Sequence, residues 1–290
     1  MSVFTELLLN GALLGGIYAI ISVGLTLIFG IVRVVNFAHG EFLMVGMYIA
    51  YLLSAYLGLH PYVAALPLVV LLFALGALVQ RVIIQPLLSA DEHIQIFATV
   101  GLSTALINLA LLLFGADLFA VPPSFARQSV SLFGYRAVIG QVVMLGCAFV
   151  LVGGLHLFLE TTPLGRAIRA TAQNRTAALL MGVDVPRIYV ITFGLGIACV
   201  GLAAALLAPL YPVFPTIGTY FVLTAFVVVV LGGMRSLYGA LAGAMVIGIV
   251  DSLSGYYVAP DLKEVVYFLI FIAILVLRPT GLLGRGRGTE

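Results

Sequence analysis

Tryptophan is absent, lysine occurs once (Lys263) and cysteine twice (Cys147 and Cys199) in a chain of 290 residues. Charge of either sign is scarce: 8% of the residues are Asp, Glu, Lys or Arg, about a third of the roughly 25% found in soluble domains. So little charge cannot cover a water-facing surface, which excludes a soluble globular protein. The net charge of +2 is too small to point to nucleic acid. Both cysteines lie inside apolar runs with no C-x-x-C or metal-ligand spacing, and read as small core hydrophobes. Lys263 follows Leu262, so there is no G-x-x-x-x-G-K phosphate loop and no ATP hydrolysis by that route. Neither H-E-x-x-H nor G-x-S-x-G occurs. His39, His60, His93 and His156 are scattered. Nothing here favours an enzyme, and no cofactor is expected in this chain.

What is present is lipid-like. Hydrophobic residues make up 63% of the chain and mean hydropathy is +1.25. The first basic residue is Arg33, so the opening apolar run lacks a signal peptide's positive n-region and reads as a permanent span. About 20 apolar residues cross a hydrocarbon core of about 30 Å. Candidate spans lie near 6–30, 41–58, 62–84, 96–115, 138–159, 188–209, 217–234, 238–258 and 264–277. The expectation is an all-α polytopic membrane protein with about 8–9 transmembrane helices in one domain, 1–290. Long continuous runs exclude a transmembrane barrel.

Orientation follows from the arginines. If the polar stretch 162–187 is cytoplasmic and the nine segments alternate, ten basic residues fall inside: Arg33, Arg81, Arg166, Arg169, Arg175, Arg187, Arg235, Arg278, Arg285 and Arg287. Arg127, Arg136 and Lys263 fall outside. That bias is the positive-inside pattern. The C-terminal "LRPTGLLGRGRGTE" is then a cytoplasmic tail, and the setting a bacterial plasma (inner) membrane.

Small residues mark close helix contacts: Gly239, Gly243 and Gly248, with Ala240, Ala242 and Ala244, form one face of the eighth segment. An internal echo places G-x-x-R before a Gly-opened helix in both "FGIVRVVNFAHGEFLMVG" and "LGGMRSLYGALAGAMVIG", a weak sign of duplication. Asn36, His39 and Glu41 interrupt the boundary between the first two spans, beside Phe37 and Gly40. Two readings are open. One is a tight cytoplasmic turn, with Asn36 capping the next helix and Gly40 allowing the bend. The other is a discontinuous helix at depth lining a solute path. Asp251 falls near the outer mouth. The external stretches "LYPVFPTIGTYF" and "GADLFAVPPSFARQSVSLFGYR" are too short for a ligand-capturing domain, so solute capture would fall to another protein.

"TPLGRAIRATAQNRTAALLMGVDVPR" (162–187) is the longest polar interruption. Thr162 is a good N-cap and Pro163 a good first helical residue. Asn174 caps a second short helix, Arg175 to Met181, which Gly182 closes in the left-handed conformation. Ala177, Ala178, Leu179, Leu180 and Met181 form an apolar side. Arg166, Arg169, Gln173, Asn174, Arg175 and Asp184 form the other. Such an element either rests on anionic headgroups or docks a soluble partner, which would supply the missing nucleotide site.

The core G-R-A-x-R-A-x-A-x-N-x-x-A-A-x-x-x-G, read here from Gly165 to Gly182, resembles the coupling region of permeases of branched-chain amino-acid ABC importers, the LivH-type subunits. Val183 stands where that family has Ile. "NGALLGGIYAIISVGLTLIFGIVRVVNFAHGEFLMVGMYIAY" and "VVVVLGGMRSLYGALAGAMVIGIVDSL" resemble two further family segments, so the likeness runs from about residue 5 to residue 283. The resemblance implies an importer permease fold of the ribose/branched-chain amino-acid type. It also implies a second related permease, two ATP-binding subunits that carry ATP and Mg, and an external solute-binding protein. Arg166, Arg169, Ala172, Asn174, Arg175, Ala177, Ala178 and Gly182 would dock an ATPase. Asn36, Phe37, His39, Gly40 and Glu41 are the candidate solute path on their polar character. Urea, a short amide or another amino acid on the same scaffold is the alternative, and a stand-alone secondary transporter the remoter one.

Overall fold

A computed structural model describes residues 3–121, 125–132, 135–277 and 281–283. All nine apolar segments are helical. They are α1 (Val3–Val32), α2 (His39–Leu57), α3 (Ala65–Leu87), α4 (Glu92–Phe114), α5 (Ile139–Thr161), α8 (Val185–Leu207), α9 (Ile217–Gly232), α10 (Leu237–Tyr257) and α11 (Lys263–Leu277). Between α5 and α8 lie two short helices, α6 (Pro163–Gln173) and α7 (Arg175–Leu180).

Seven of the nine are long and apolar enough to cross a membrane. The other two are shorter, α9 with 16 residues and α11 with 15. At 1.5 Å per residue α9 spans about 24 Å, less than a hydrocarbon core. Gly233 stops it with φ +101, and Ser236 opens α10 by accepting from Gly239 N at 3.0 Å. Leu282 N and Leu283 N donate to the last carbonyls of α9, Leu231 and Gly232, at 2.7 and 3.2 Å. The rest of the expected tail, with Arg278, Arg285 and Arg287, lies outside the described residues.

A wholly helical chain was expected, and one stretch departs from it. Ser129–Leu132 (β1) and Tyr135–Val138 (β2) pair antiparallel. Phe119 and Val213 exchange both backbone hydrogen bonds, at 2.9 and 2.7 Å, which stitches together the two stretches expected to be external. Arg127 Nε donates to Pro209 O at 2.6 Å. A loop without helical periodicity satisfies its backbone by local pairing.

The core is built around α1. From Gly15 to Ile28 every residue is buried, packed chiefly against α10, α8 and α5. Backbones meet at glycines: a Cβ on Gly24 would stand 2.3 Å from Gly196 O. The small-residue face expected on α10 is real, with Gly239, Ala240, Gly243, Ala244 and Gly248 buried and Ala242 half-buried. Cys199 is buried and Cys147 half-buried, both free.

Candidate functional site

The link between α1 and α2 is not a turn at the helix end. Arg33 has φ +61, the one non-glycine residue described with positive φ, and the chain then doubles back beside α1. His39 Nε2 donates to Ile21 O at 3.1 Å. Ile21 lies eleven residues before α1 ends at Val32, about 16 Å along the helix. Thr99, seven residues into α4, donates to Val35 O at 3.1 Å. The backbone is non-helical between Val32 and His39 and folds back alongside α1. The link's polar groups are packed away from solvent, and Asn36, His39 and Glu41 are all buried. Asn36 Oδ1 accepts from Ala38 N at 3.1 Å, a turn just ahead of α2; the expected Asn36 cap is not formed, since Ala38 is the N-cap and no side chain caps the helix. Phe37 packs on Phe226 of α9, with centroids 5.1 Å apart. Gly40 meets Gly218 at the start of α9, where a Cβ on either would lie 2.1 or 2.3 Å from the other's carbonyl oxygen. The N-termini of α2 and α9 therefore cross at Gly40 and Gly218.

Beside the C-terminal limit of α1 the arm 162–187 folds as its caps dictate. Thr162 Oγ1 accepts from Gly165 N at 2.9 Å, and Asn174 Oδ1 from Ala177 N at 3.0 Å. Gly182 has φ +82. Asp184 caps α8 through Arg187 N at 3.1 Å. The expected docking residues divide. Asn174, Arg175, Ala177 and Gly182 are exposed, as are Leu180 and Met181 of the apolar side, at 83% each. Ala178 is not available to a partner: at 3% exposed it seats α7 on this chain's own core, because a one-turn helix must bury one face to stay folded. Arg169 pairs with Glu160 at 2.6 Å. The Arg175 guanidinium lies over Tyr189, 5.8 Å from the ring centroid. Arg166 is exposed and reaches back to Thr161 O at 3.4 Å.

Ala172 shows its role through its backbone. Its carbonyl accepts from Arg235 at 2.7 Å and from Arg33 at 3.5 Å. These are the two arginines of the G-x-x-R echo, one at the re-entrant link and one in the α9–α10 turn. Sequence reasoning saw the echo but not that both arginines converge on the arm. Beside this junction a cavity of about 1160 Å³ runs between α1, α5, α6 and the α9–α10 turn, lined by Thr26, Ile31, Ile168, Ala172, Met234 and Arg235 among others.

Residues 7–275 match the family described as the permease component of branched-chain amino acid transport systems. The chain belongs to this permease family. It is similar to the high-affinity branched-chain amino acid transport system permease protein LivH of Salmonella typhimurium, 33% identical over 97% of this chain and 96% of that protein. The permease protein BraD of Pseudomonas aeruginosa is likewise 33% identical, with 97% and 96% covered. The ribose import permease protein RbsC of Bacillus subtilis is 32% identical over 42% of this chain and 40% of that protein. No solved structure matches.

One further constellation of the permease was not foreseen from sequence. Asp251, 3% exposed, is paired with Lys263 Nζ at 3.2 Å and accepts from the Tyr18 hydroxyl. Lys263 also donates to the Tyr220 hydroxyl at 3.2 Å. Sequence placed Asp251 near the outer mouth but could not pair it across α1, α9, α10 and α11. Its charge is balanced locally by Lys263.

Proposed function

We propose that this chain forms the gate of an ATP-driven importer of branched-chain amino acids in the bacterial plasma membrane. In this reading its arginine-rich end and C-terminus are cytoplasmic, and it binds no nucleotide or cofactor of its own. Two ATP-binding subunits supply the energy, a second related permease completes the passage, and an external binding protein delivers solute. The observation that carries the reading is the capped arm 162–187. It presents Leu179, Leu180 and Met181 to solvent between arginines, a small apolar knob with a basic rim, on a chain similar along nearly its whole length to such permeases.

The arm's attachment suggests how force enters. Docked ATPases move α6 and α7, and Ala172 carries that movement to Arg33 and Arg235. Those arginines sit at the two links preceding α2 and α10, and α2 and α9 cross at Gly40 and Gly218. A ligand or nucleotide shifts such an equilibrium only through differential affinity for its states.

Leu180→Glu tests the docking surface, since it adds charge to an exposed apolar tip and leaves the core untouched. Expected is an at least tenfold loss of ATPase co-purification and of leucine uptake in proteoliposomes, with the melting temperature in detergent unchanged. Uptake by the permease without any ATPase, or labelling of a cysteine at position 180 only from the outside, would remove the reading.

A further inference from the structure

Among the described residues two carboxylates, Glu41 and Asp251, are buried, and they are treated differently. Asp251 has Lys263 and the Tyr18 hydroxyl. Glu41, 1% exposed, has no ion-pair partner among the described residues. Its Oε1 accepts one long bond from Thr219 Oγ1 of α9, at 3.4 Å, and Ser103 of α4 stands beside the carboxylate. Oε2 is buried with no hydrogen-bond partner. In the same turn the Asn36 side-chain Nδ2, a buried donor, also has none, although the other end of that amide accepts from Ala38 N. A buried charge without a counter-charge is costly, and ionisable groups within membrane spans normally face a partner or a pathway. The unused groups are one carboxyl oxygen and one N–H donor. Thr219, Tyr220 and Leu223 are exposed along α9, so this turn lies against a face not covered by the chain itself.

Resting on the importer reading, we infer that Glu41 is the ammonium-recognising group of the passage, with the Asn36 amide serving the solute's carboxylate. The substrate class this selects is the zwitterionic α-amino acid, over urea, short amides or 2-oxo acids. An ammonium group brings three N–H donors. Glu41 Oε2 and the Ser103 and Thr219 hydroxyl oxygens supply three acceptors from three different helices. In this conformation the backbones of α2 and α9 touch at Gly40 and Gly218, beside the site. Separation of α9 from α2 opens it from the Thr219 side.

The test compares wild type, Glu41→Gln and Glu41→Asp in the complete importer in proteoliposomes, using radiolabelled leucine and receptor-stimulated ATP hydrolysis. Gln has the shape of a protonated Glu and lacks only the charge. Expected for E41Q is an at least tenfold fall in leucine uptake while ATP hydrolysis keeps at least half its rate, with E41D recovering part of the uptake. Wild-type uptake by E41Q overturns the inference, because a neutral side chain then suffices. A parallel fall of uptake and hydrolysis in an assembled E41Q complex overturns it too, as a structural role. Should E41Q fail to assemble, E41D decides: a several-fold higher KM for leucine supports the inference, and an unchanged KM overturns it. If wild type itself takes up no leucine, the importer reading falls and this inference with it.

Discussion

Helices α1 and α4 are equally apolar and have opposite fates. Their most apolar stretches have mean hydropathies of 2.2 and 2.1, yet 83% of the first is buried inside the protein and 11% of the second. In water such a pair could not exist, because α4 would be driven into a core. In lipid, tails are as apolar as Leu, so hydropathy selects the membrane but not the interior. What separates them is side-chain size. Gly11, Gly15, Gly16, Gly24 and Gly30 let neighbouring backbones approach α1, whereas the one glycine of α4, Gly101, faces open space. Phe97, Leu109, Leu112 and Leu113 of α4 point outward.

The sharpest way to break this comparison is to enlarge one glycine on each helix. Gly24→Leu would force a side chain against the Gly196 carbonyl, whose oxygen lies 2.3 Å from the first added carbon. Overpacking of that kind costs on the order of 3 kcal/mol or more, so folded yield and melting temperature in detergent should collapse. Gly101→Leu should leave both unchanged, and equal damage from the two would end the distinction. Lys263→Gln is the next largest change. It leaves Asp251 buried against Tyr18 of α1 without its cation. Because Lys263 is partly exposed, about 2 kcal/mol is expected rather than the full cost of a buried broken pair, and a thermal scan in detergent would read it. The smallest effect belongs to Leu112→Ala in α4, within about 0.5 kcal/mol, because its side chain packs on nothing in this chain. A larger loss in the isolated subunit would show that α4 is packed after all.

Local features of the arm were legible because each is set by neighbours in sequence. Thr162, Asn174 and Gly182 do what cap chemistry requires, and α7 ended one residue before the expected Met181. Ala178 was misplaced as a docking contact because a six-residue helix has too few turns for its inward face to show in the pattern. The re-entrant turn was half legible. Asn36, His39 and Glu41 announced an anomaly, but a polar interruption has the same composition whether it lies at an interface or at depth. Thr219 and Ser103 gave no signal, since single hydroxyls on apolar helices satisfy themselves locally as often as not. The β1–β2 hairpin was hidden in a loop whose strands are four residues each.

Composition by itself determined that the chain lives in a bilayer, and its arginines and caps determined which end carries the polar arm, because both are sums over local residues. Which apolar helix became the axis, where the chain turned back toward Ile21, and that Arg33 and Arg235 share one carbonyl were decided only in three dimensions. Helices in lipid sort by shape and by satisfaction of polar groups, and those matches belong to pairs of segments far apart in the chain.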